Sequence, residues 1–299
     1  MFVKNGLASN LGRYLVKSDL HTSTRLCKDA DLILSSTKNN VTTLMFNNPK
    51  KLNAWTVPMF ENMFDLLTKH GEDENTKVLI LTGSGPYYCA GANLSENVKL
   101  MHPKKLHSMI IESNNRIFNY FLDFPKPILV AANGPAIGAS VTSAALCDGI
   151  LASENATFWT PFAKLCVTPE GCSSIHFERI LGKEAADKML AENWKVSAED
   201  ARRIGLVLDV VPQEELLVKS QELAETWIAE GRRRTIPGGG EVAEYKEINL
   251  KESRILADAF ISYRFLDAQY DFLKTKGKRQ EARMFWILKT LQPLWSKLV

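Results

Sequence analysis

Short apolar runs of strand length alternate with helical patterns along the first two thirds of the chain. Strands are predicted at residues 32–35, 41–46, 77–82, 127–132 and 149–152, and the apolar runs within 77–82 and 127–132 have the length of buried strands. Between two of them, residues 106–122 have the apolar periodicity of a long amphipathic helix. Strands and helices that alternate at this spacing indicate parallel βαβ units, and the right-handed crossover rule then limits the topology.

Helical patterns dominate the last third of the chain. Ser197 and Asp200 resemble a capping box before a short helix, and one more strand is expected at residues 206–211. Longer helices are predicted at residues 214–230, 241–276 and 282–291. The run Arg232-Arg233-Arg234-Thr235-Ile236-Pro237-Gly238-Gly239-Gly240 is interpreted as an internal linker.

Composition and charge exclude several classes of protein. With 45% hydrophobic and 24% charged residues among 299, the chain has the balance of a globular protein with a full core. No apolar run approaches the ~20 residues of a membrane-spanning helix. Five basic residues and one acid lie within residues 1–28, so the rest of the chain is nearly neutral despite a net charge of +3. This distribution argues against a nucleic-acid-binding surface.

The two ends carry possible targeting signals. Residues 1–28 contain arginines, few acids and an apolar stripe at i+4 spacing, which is typical of a mitochondrial transit peptide. A surface helix or a flexible arm is the alternative. Near the other end, Ser296-Lys297-Leu298 resembles a peroxisomal signal, but Val299 follows it. These features favour the mitochondrial matrix, with the peroxisome as the alternative.

The cysteines and histidines indicate no metal site. Five cysteines at irregular spacing are expected to be reduced thiols, and the five histidines are scattered. No ligand spacing for a metal ion is present, so neither a metal nor another cofactor is predicted.

Two glycine-centred motifs follow predicted strands. The first is Tyr88-Cys89-Ala90-Gly91-Ala92-Asn93-Leu94, and the second is Asn133-Gly134-Pro135-Ala136-Ile137-Gly138-Ala139-Ser140. Small residues let a ligand approach the backbone, and amides at a turn or a helix start can face an oxyanion. Either motif alone is equally consistent with a tight turn or with close packing of a helix on a sheet.

Glu170 is the only acid between Glu154 and Glu178. Its neighbours are apolar, small or uncharged, so desolvation is expected to raise its pKa, as a base that exchanges protons with carbon requires. Considered alone, Pro169-Glu170-Gly171 is better explained as a surface turn.

Taken together, the two motifs and Glu170 resemble the crotonase superfamily over residues 31–212. The segment Asn48-Pro49-Lys50-Lys51-Leu52-Asn53-Ala54-Trp55 and the pair Cys147-Asp148 fit the same pattern. Thr160-Pro161-Phe162 followed by Pro169-Glu170-Gly171-Cys172-Ser173-Ser174 is most similar to the peroxisomal-type 3-enoyl to 2-enoyl coenzyme A isomerases. The resemblance implies an α/β fold, a crotonase-like spiral of stacked ββα units with a C-terminal helical region.

The resemblance also implies a role for individual residues. The backbone amides of Ala92 and Ala139 would form an oxyanion hole around a thioester carbonyl, and Glu170 would be the base. The implied substrate-binding residues are Lys50, Lys51, Ala54, Ala90, Gly91, Asn93, Leu94, Gly138 and Phe162. Coenzyme A would be part of the substrate, so no separate cofactor is implied.

Two positions distinguish the reactions of this superfamily. Hydratases carry catalytic glutamates where this chain has Thr142 and Phe162. With one base left, the resemblance implies that 3-cis- or 3-trans-enoyl thioesters are isomerised to 2-trans-enoyl thioesters in fatty acid β-oxidation. The alternatives are hydration, thioester hydrolysis or acyl-coenzyme A binding without catalysis. RNA binding through Arg232-Arg233-Arg234 is less favoured than a solvated linker.

Further expectations concern domains, assembly and departures from the family pattern. Residues 29–212 are expected to form the core, and residues 213–299 a helical region on the coenzyme A and trimerisation side. A homotrimer or a hexamer of trimers is implied, with no membrane span and no nucleic-acid partner. Asn93 replaces a usual Asp, and Cys166 replaces a usual Gly and is expected to narrow the acyl pocket.

Overall fold

The computed structural model describes residues 31–92 and 101–296. The predicted N-terminal segment 1–28, the site candidates Asn93 and Leu94, and the last three residues therefore lie outside the described residues. Within the described ranges, no helix is long and apolar enough to cross a membrane.

The larger sheet has six strands in the order β1-β2-β3-β4-β6-β9. Only the β1–β2 pair is antiparallel, and the other four pairs are parallel. Its strands are β1 (Ile33–Lys38), β2 (Val41–Phe46), β3 (Val78–Gly83), β4 (Ile128–Ala132), β6 (Gly149–Ser153) and β9 (Asp209–Val211). These strands confirm the five predicted in the first two thirds of the chain, although β1 is exposed at five of its six residues, and β9 is shorter than predicted.

The smaller sheet has three strands that the sequence patterns did not predict. They are β5 (Ala136–Ile137), β7 (Thr157–Trp159) and β8 (Lys195–Ser197), with β7 in the centre. At two or three residues each, they are too short for a period-2 pattern to be recognised. Because β5 lies inside the second glycine motif, this sheet positions part of the candidate site.

Ten helices are described. They are α1 (Val57–Glu72), α2 (Pro103–Asp123), α3 (Ala139–Ala145), α4 (Ser173–Leu181), α5 (Lys183–Leu190), α6 (Ala198–Arg203), α7 (Leu216–Ala229), α8 (Val242–Phe260), α9 (Tyr263–Thr275) and α10 (Arg279–Trp295). A 3-10 turn, Pro49–Lys51, precedes α1. Side-chain caps begin two helices as expected: the Thr56 hydroxyl accepts from Met59 N, and the Ser197 hydroxyl accepts from Asp200 N.

The central strands β3, β4 and β6 are buried along their whole length, which explains their mostly apolar sequences, whereas the edge strand β1 is exposed at five of its six residues. Alternate residues of β3 face opposite layers, since Leu79 packs in the main core with α1 and α2 whereas Ile80 packs against α7. The N-terminal half of α2 instead packs with α8, α9 and α10 in a separate apolar cluster. Helix α2 thus joins the sheet core to the C-terminal helices.

Two predictions for the C-terminal third were wrong. The predicted helix 241–276 is two helices, because the chain leaves the helix at Ile261 and Ser262 caps the next one by accepting from Phe265 N. The arginine run is not a solvated linker throughout. The Arg234 guanidinium donates to the fully buried carboxylate of Asp148 at 3.0 Å and to the backbone carbonyls of Phe121 and Leu146, so it anchors the segment between α7 and α8 to the core.

Candidate active site

The buried side chain of Asn53 links the segment after β2 to the turn after β3 by hydrogen bonds. Asn53 has a left-handed backbone (φ 53°), which asparagine tolerates better than most residues. Its amide nitrogen donates to the carbonyls of Ser84 (2.9 Å) and Tyr87 (2.8 Å), while its carbonyl accepts from Asn48 N (2.9 Å). Lys50 and Lys51 are exposed on this segment and Ala54 is partly buried. The asparagine was not predicted as a site-building residue.

The first glycine motif lies directly against the second. Gly91 has φ 75°, and a Cβ added there would lie 2.3 Å from the carbonyl oxygen of Ile137 and 3.5 Å from the amide nitrogen of Ala139. Only glycine allows this approach of two backbones. The structure therefore brings the predicted Ala90–Ala92 and Gly138–Ala139 segments together.

Backbone hydrogen bonds hold the Ala90–Ala92 and Gly138–Ala139 segments in place but leave the N–H groups of Ala92 and Ala139 unused. Trp55 N donates to Gly91 O at 2.8 Å, Ala90 N donates to Leu52 O at 3.0 Å, and Gly138 N donates to Trp159 O at 2.8 Å. Among the described residues, the amides of Ala92 and Ala139 have no acceptor. Two unsatisfied backbone donors held by rigid neighbours are the groups that an oxyanion needs.

The chain enters the second motif through a buried asparagine that ties two strand ends together. The side-chain carbonyl of Asn133 accepts from Gly83 N at 2.9 Å, and its amide donates to Gly85 O at 2.9 Å. Gly134 then passes so close to the turn before the first motif that an added Cβ would lie 2.1 Å from Pro86 O. These contacts set the position of Gly138, whose φ of 59° aims the start of α3.

Glu170 lies in the loop between β7 and α4, and two left-handed residues follow it. Gly171 and Cys172 both have φ 64°. A Cβ on Gly171 would lie 2.4 Å from the Phe118 ring of α2, so glycine is required there as well. The same helix stacks Phe121 on Trp55, whose amide bonds Gly91. Helix α2 thus supports both the Glu170 loop and the first glycine motif.

The electrostatic environment of Glu170 suits a base. Burial, and to a smaller extent the negative charge of Glu252, raises its pKa from 4.5 to about 8. The carboxylate accepts no hydrogen bond from any described residue, while part of the residue stays accessible. A free, partly accessible carboxyl group with a pKa near neutrality can both take and return a proton.

Thr142 and Phe162, the two positions at which the family resemblance implies acids in a hydratase, carry no carboxyl group and are buried. Thr142 is fully buried in α3 and its hydroxyl donates to Ala139 O at 3.2 Å. Phe162 is buried as well. Neither side chain can activate water for addition to a double bond. Cys166, by contrast, is exposed and has a left-handed backbone with φ 54°, the conformation for which a glycine is better suited.

A buried acid on α8 was missed by the sequence analysis. Glu252 is 4% exposed, and its carboxylate binds the backbone immediately after Glu170. Its position was detectable, because Tyr245, Asn249, Glu252 and Leu256 share the i, i+4, i+7, i+11 spacing of one buried helix face. An acid on such a face needs hydrogen-bond donors, and these donors come from a segment distant in sequence.

No other cluster in the described ranges rivals this site. No group of at least three His, Cys, Asp or Glu residues there could hold a metal ion, and the four described cysteines are free. His176 is buried, and its Nε2–H donates to Ala145 O at 2.8 Å while Nδ1 faces the Tyr245 hydroxyl. Burial lowers its pKa to about 4, so it is a neutral packing residue at pH 7.

Comparisons with known proteins agree with this geometry. Residues 36–236 match the family described as enoyl-CoA hydratase/isomerase. Enoyl-CoA delta isomerase 2 of Homo sapiens is 32% identical over 264 residues, which cover 83% of this chain and 64% of that protein. Enoyl-CoA delta isomerase 3, peroxisomal, of Mus musculus is 36% identical over 185 residues, which cover 60% of this chain and 57% of that protein. The chain thus spans somewhat less than two thirds of the length of these relatives.

The fold is also similar to that of solved enoyl-CoA hydratase/isomerase structures. The crystal structure of an enoyl-CoA hydratase/isomerase from Pseudoalteromonas atlantica T6c aligns with a TM-score of 0.69 at 24% identity, covering 82% of this chain and 97% of that one. The predicted crotonase-like fold and superfamily are confirmed. The two-sheet core, the apposed glycine motifs and the match over residues 36–236 show that the chain belongs to the enoyl-CoA hydratase/isomerase family.

Proposed function

We propose that the protein isomerises 3-cis- or 3-trans-enoyl coenzyme A thioesters to the conjugated 2-trans-enoyl thioesters. The observation that carries this proposal is Glu170, a carboxyl group with a pKa of about 8 and no hydrogen-bond partner among the described residues. Thr142 and Phe162 stand where a second acid is needed for hydration. The two named isomerases among the relatives support the same reaction.

The reaction begins when the thioester carbonyl oxygen accepts hydrogen bonds from the two unsatisfied backbone amides of Ala92 and Ala139. Ionised Glu170 removes a proton from C2, and the electron pair of that C–H bond delocalises into the carbonyl as a dienolate. Each oxyanion donor stabilises the developing charge by about 3 kcal/mol. The apposition of Gly91 with the carbonyl of Ile137 holds the two amide segments in place before the substrate arrives.

Protonated Glu170 then returns the same proton to C4, which restores the carbonyl and leaves the double bond between C2 and C3. The proton count is unchanged, so neither water nor a redox cofactor is consumed. One carboxyl group on one face of a planar dienolate reaches both carbons, and no second acid takes part. Because its pKa is near 8, ionised Glu170 is a stronger base than an ordinary glutamate, which favours the first step, removal of the C2 proton.

The remaining substrate-binding roles belong to the coenzyme A portion. Exposed Lys50 and Lys51 lie next to Ala54 and the Ala90–Gly91 backbone, where basic side chains suit the phosphates of coenzyme A. Phe162 and Gly138 would border the acyl chain. Assembly as a trimer and location in the mitochondrial matrix or the peroxisome stay predictions. The word peroxisomal occurs in the name of the mouse relative.

The test follows the absorbance of the conjugated thioester as purified protein acts on trans-3-hexenoyl coenzyme A. Wild type is expected to form product with kcat/KM rising as the pH passes through about 8, because Glu170 must be ionised in the free enzyme. Glu170→Gln is expected to bind substrate but to lose turnover by at least about 10³-fold. Glu178→Gln, an exposed acid of α4, is the matched control.

Two outcomes would refute the assignment. Equal rates for wild type and Glu170→Gln would show that Glu170 is not the base. Rapid loss of absorbance from trans-2-hexenoyl coenzyme A, without isomerisation of the 3-enoyl substrate, would instead identify a hydratase.

A further inference from the structure

Glu252 is a buried carboxylate that the proposed mechanism does not use. It is 4% exposed and lies in the middle of α8, in the C-terminal region. In the described part of the chain no Lys, Arg or His forms an ion pair with it, so its charge is held by hydrogen bonds alone. An unpaired buried acid is uncommon, and one so close to a base needs a reason.

Both oxygens of Glu252 bind the backbone directly after the base. Oε2 accepts from Cys172 N at 2.6 Å, and Oε1 accepts from Ser174 N at 2.9 Å and from the Ser174 hydroxyl at 2.5 Å. Three donors satisfy a carboxylate that is otherwise desolvated. All three come from residues two to four positions after Glu170, so the segment that follows the base is fixed to α8.

The segment that Glu252 holds is conformationally unfavourable by itself. Gly171 and Cys172 are consecutive left-handed residues, and for cysteine this conformation costs about 1 kcal/mol. The Cys172 thiol adds a second bond to the same helix, donating to Tyr245 O at 3.2 Å. Such a turn persists only when its surroundings impose it. Without the Glu252 carboxylate, the peptide planes that orient Glu170 lose their main external constraint.

We propose that Glu252 is a positioning residue for Glu170: its carboxylate clamps the left-handed turn after the base and so fixes where the base points. The inference rests on the proposed function, because it assigns Glu252 to the proton transfer made by Glu170. The C-terminal helices would then contribute to catalysis through the hydrogen bonds of Glu252 to the turn after Glu170, and not only through packing.

The clamp also places a negative charge near the base. Glu252 is the second cause of the raised pKa of Glu170, after burial. The other titratable groups facing this region are the Cys172 thiol, whose pKa burial and Glu252 raise, the Tyr245 hydroxyl, whose pKa burial raises, and His176, which is neutral at pH 7. The Arg179 guanidinium lies 5.5 Å from the centre of the Tyr245 ring, but it forms an ion pair with Glu244 and not with Glu252.

The experiment compares Glu252→Gln with Glu247→Gln, an exposed acid of the same helix. Glutamine keeps the size of the side chain, but it removes the charge and turns one acceptor into a donor that faces N–H groups. For Glu252→Gln we expect kcat to fall by about 10- to 100-fold with KM within about threefold. We also expect the rise of kcat/KM to move to lower pH by roughly 0.5–1 pH unit, since a like charge has been removed. Glu247→Gln is expected to match wild type.

Two further variants separate position from charge and guard against misfolding. Glu252→Asp keeps the charge, but its shorter side chain moves the carboxylate oxygens away from the Cys172 and Ser174 donors. We therefore expect kcat to fall while the pH midpoint of kcat/KM stays at the wild-type value. Ser174→Ala removes one donor from an exposed residue, and kcat is expected to fall by about three- to tenfold. If Glu252→Gln does not fold, Ser174→Ala decides, and a wild-type kcat in that variant overturns the proposal. An unchanged kcat and an unchanged pH midpoint in folded Glu252→Gln also overturn it.

A measurement without substrate keeps this inference separate from the proposed function. The infrared band of the protonated Glu170 carboxyl is identified as the band that wild type has and Glu170→Gln lacks. Its pH midpoint is expected to fall in Glu252→Gln and to stay constant in Glu247→Gln. A wild-type protein without isomerase activity refutes the proposed function, whereas an unmoved infrared midpoint in Glu252→Gln refutes the influence of Glu252 on the base.

Discussion

Replacing Glu170 by glutamine should make the protein more stable at high pH, although it removes the proposed base. The folded-state pKa of Glu170 is about 8, raised from 4.5 chiefly by burial. A carboxyl group whose pKa is raised on folding binds more protons in the folded state than in the unfolded state. Its contribution to stability is therefore complete below about pH 4.5 and is lost as the pH rises through about 8. Glutamine does not titrate and keeps its contribution throughout.

The size of the effect follows from these two pKa values. Each pKa unit corresponds to about 1.4 kcal/mol, so a change from 4.5 to about 8 sets a ceiling of about 5 kcal/mol. Glu170 retains some accessible surface, and solvent screening reduces the expected difference to roughly 2–3 kcal/mol. The free energy of unfolding of Glu170→Gln, relative to wild type, should increase by this amount between pH 5 and pH 9.

Urea denaturation of both proteins at pH 5, 7 and 9 measures the difference without any substrate. Subtracting wild type from the variant at each pH cancels every group that titrates alike in the two proteins. Glu178→Gln, which removes an exposed acid on α4, is the matched control for the loss of one carboxylate. A Glu170→Gln difference constant to within about 0.5 kcal/mol, or one of opposite sign, would refute the argument that desolvation raises the pKa of Glu170.

Three other predictions concern the backbone and the core. Cys166→Gly should stabilise the protein by about 0.5–1 kcal/mol in urea denaturation because φ is 54° there, and Cys166→Ser should not; a destabilised glycine variant would contradict this. Arg234→Ala should destabilise by about 3 kcal/mol, since the buried Asp148 carboxylate loses its guanidinium partner and keeps only uncharged donors, whereas exposed Arg233→Ala should stay within about 0.5 kcal/mol; equal effects would contradict the buried ion pair. Gly91→Ala should lower kcat/KM by at least about 100-fold, because its Cβ would lie 2.3 Å from Ile137 O, and a wild-type rate would show that the two amide segments need not touch.

Elements that carry a long local pattern were predictable. The strands β3 and β4 are fully buried and mostly apolar, and the cap of α1 by Thr56 has a clear signature. The two-residue strand β5 and the break between α8 and α9 were not predicted. Strand β5 is too short for periodicity, and the break interrupts an otherwise helical pattern with only the polar cap Ser262.

Among the charged groups, too, exposure could be judged from local sequence patterns only in part, and the partners could not be identified. The arginine run resembles a solvated segment by composition, yet Arg234 is nearly buried against Asp148, 86 residues earlier in the chain. Likewise, the spacing along α8 marks Glu252 as buried but does not identify its partners. Hydrogen bonds between segments far apart in sequence leave no local pattern, because either partner alone is compatible with many surroundings.

The order of parallel strands and helices, the two glycine motifs, the lone acid at position 170 and the family they indicate are all recognisable in the amino-acid sequence. The contact of Gly91 with Ile137 and the hydrogen bonds from Glu252 to the turn after Glu170 are visible only in the folded chain. The difference arises because strand length and glycine conformation are local properties of the chain. The pKa of a carboxyl group, and the direction in which it points, depend on what the fold brings within a few ångströms of it.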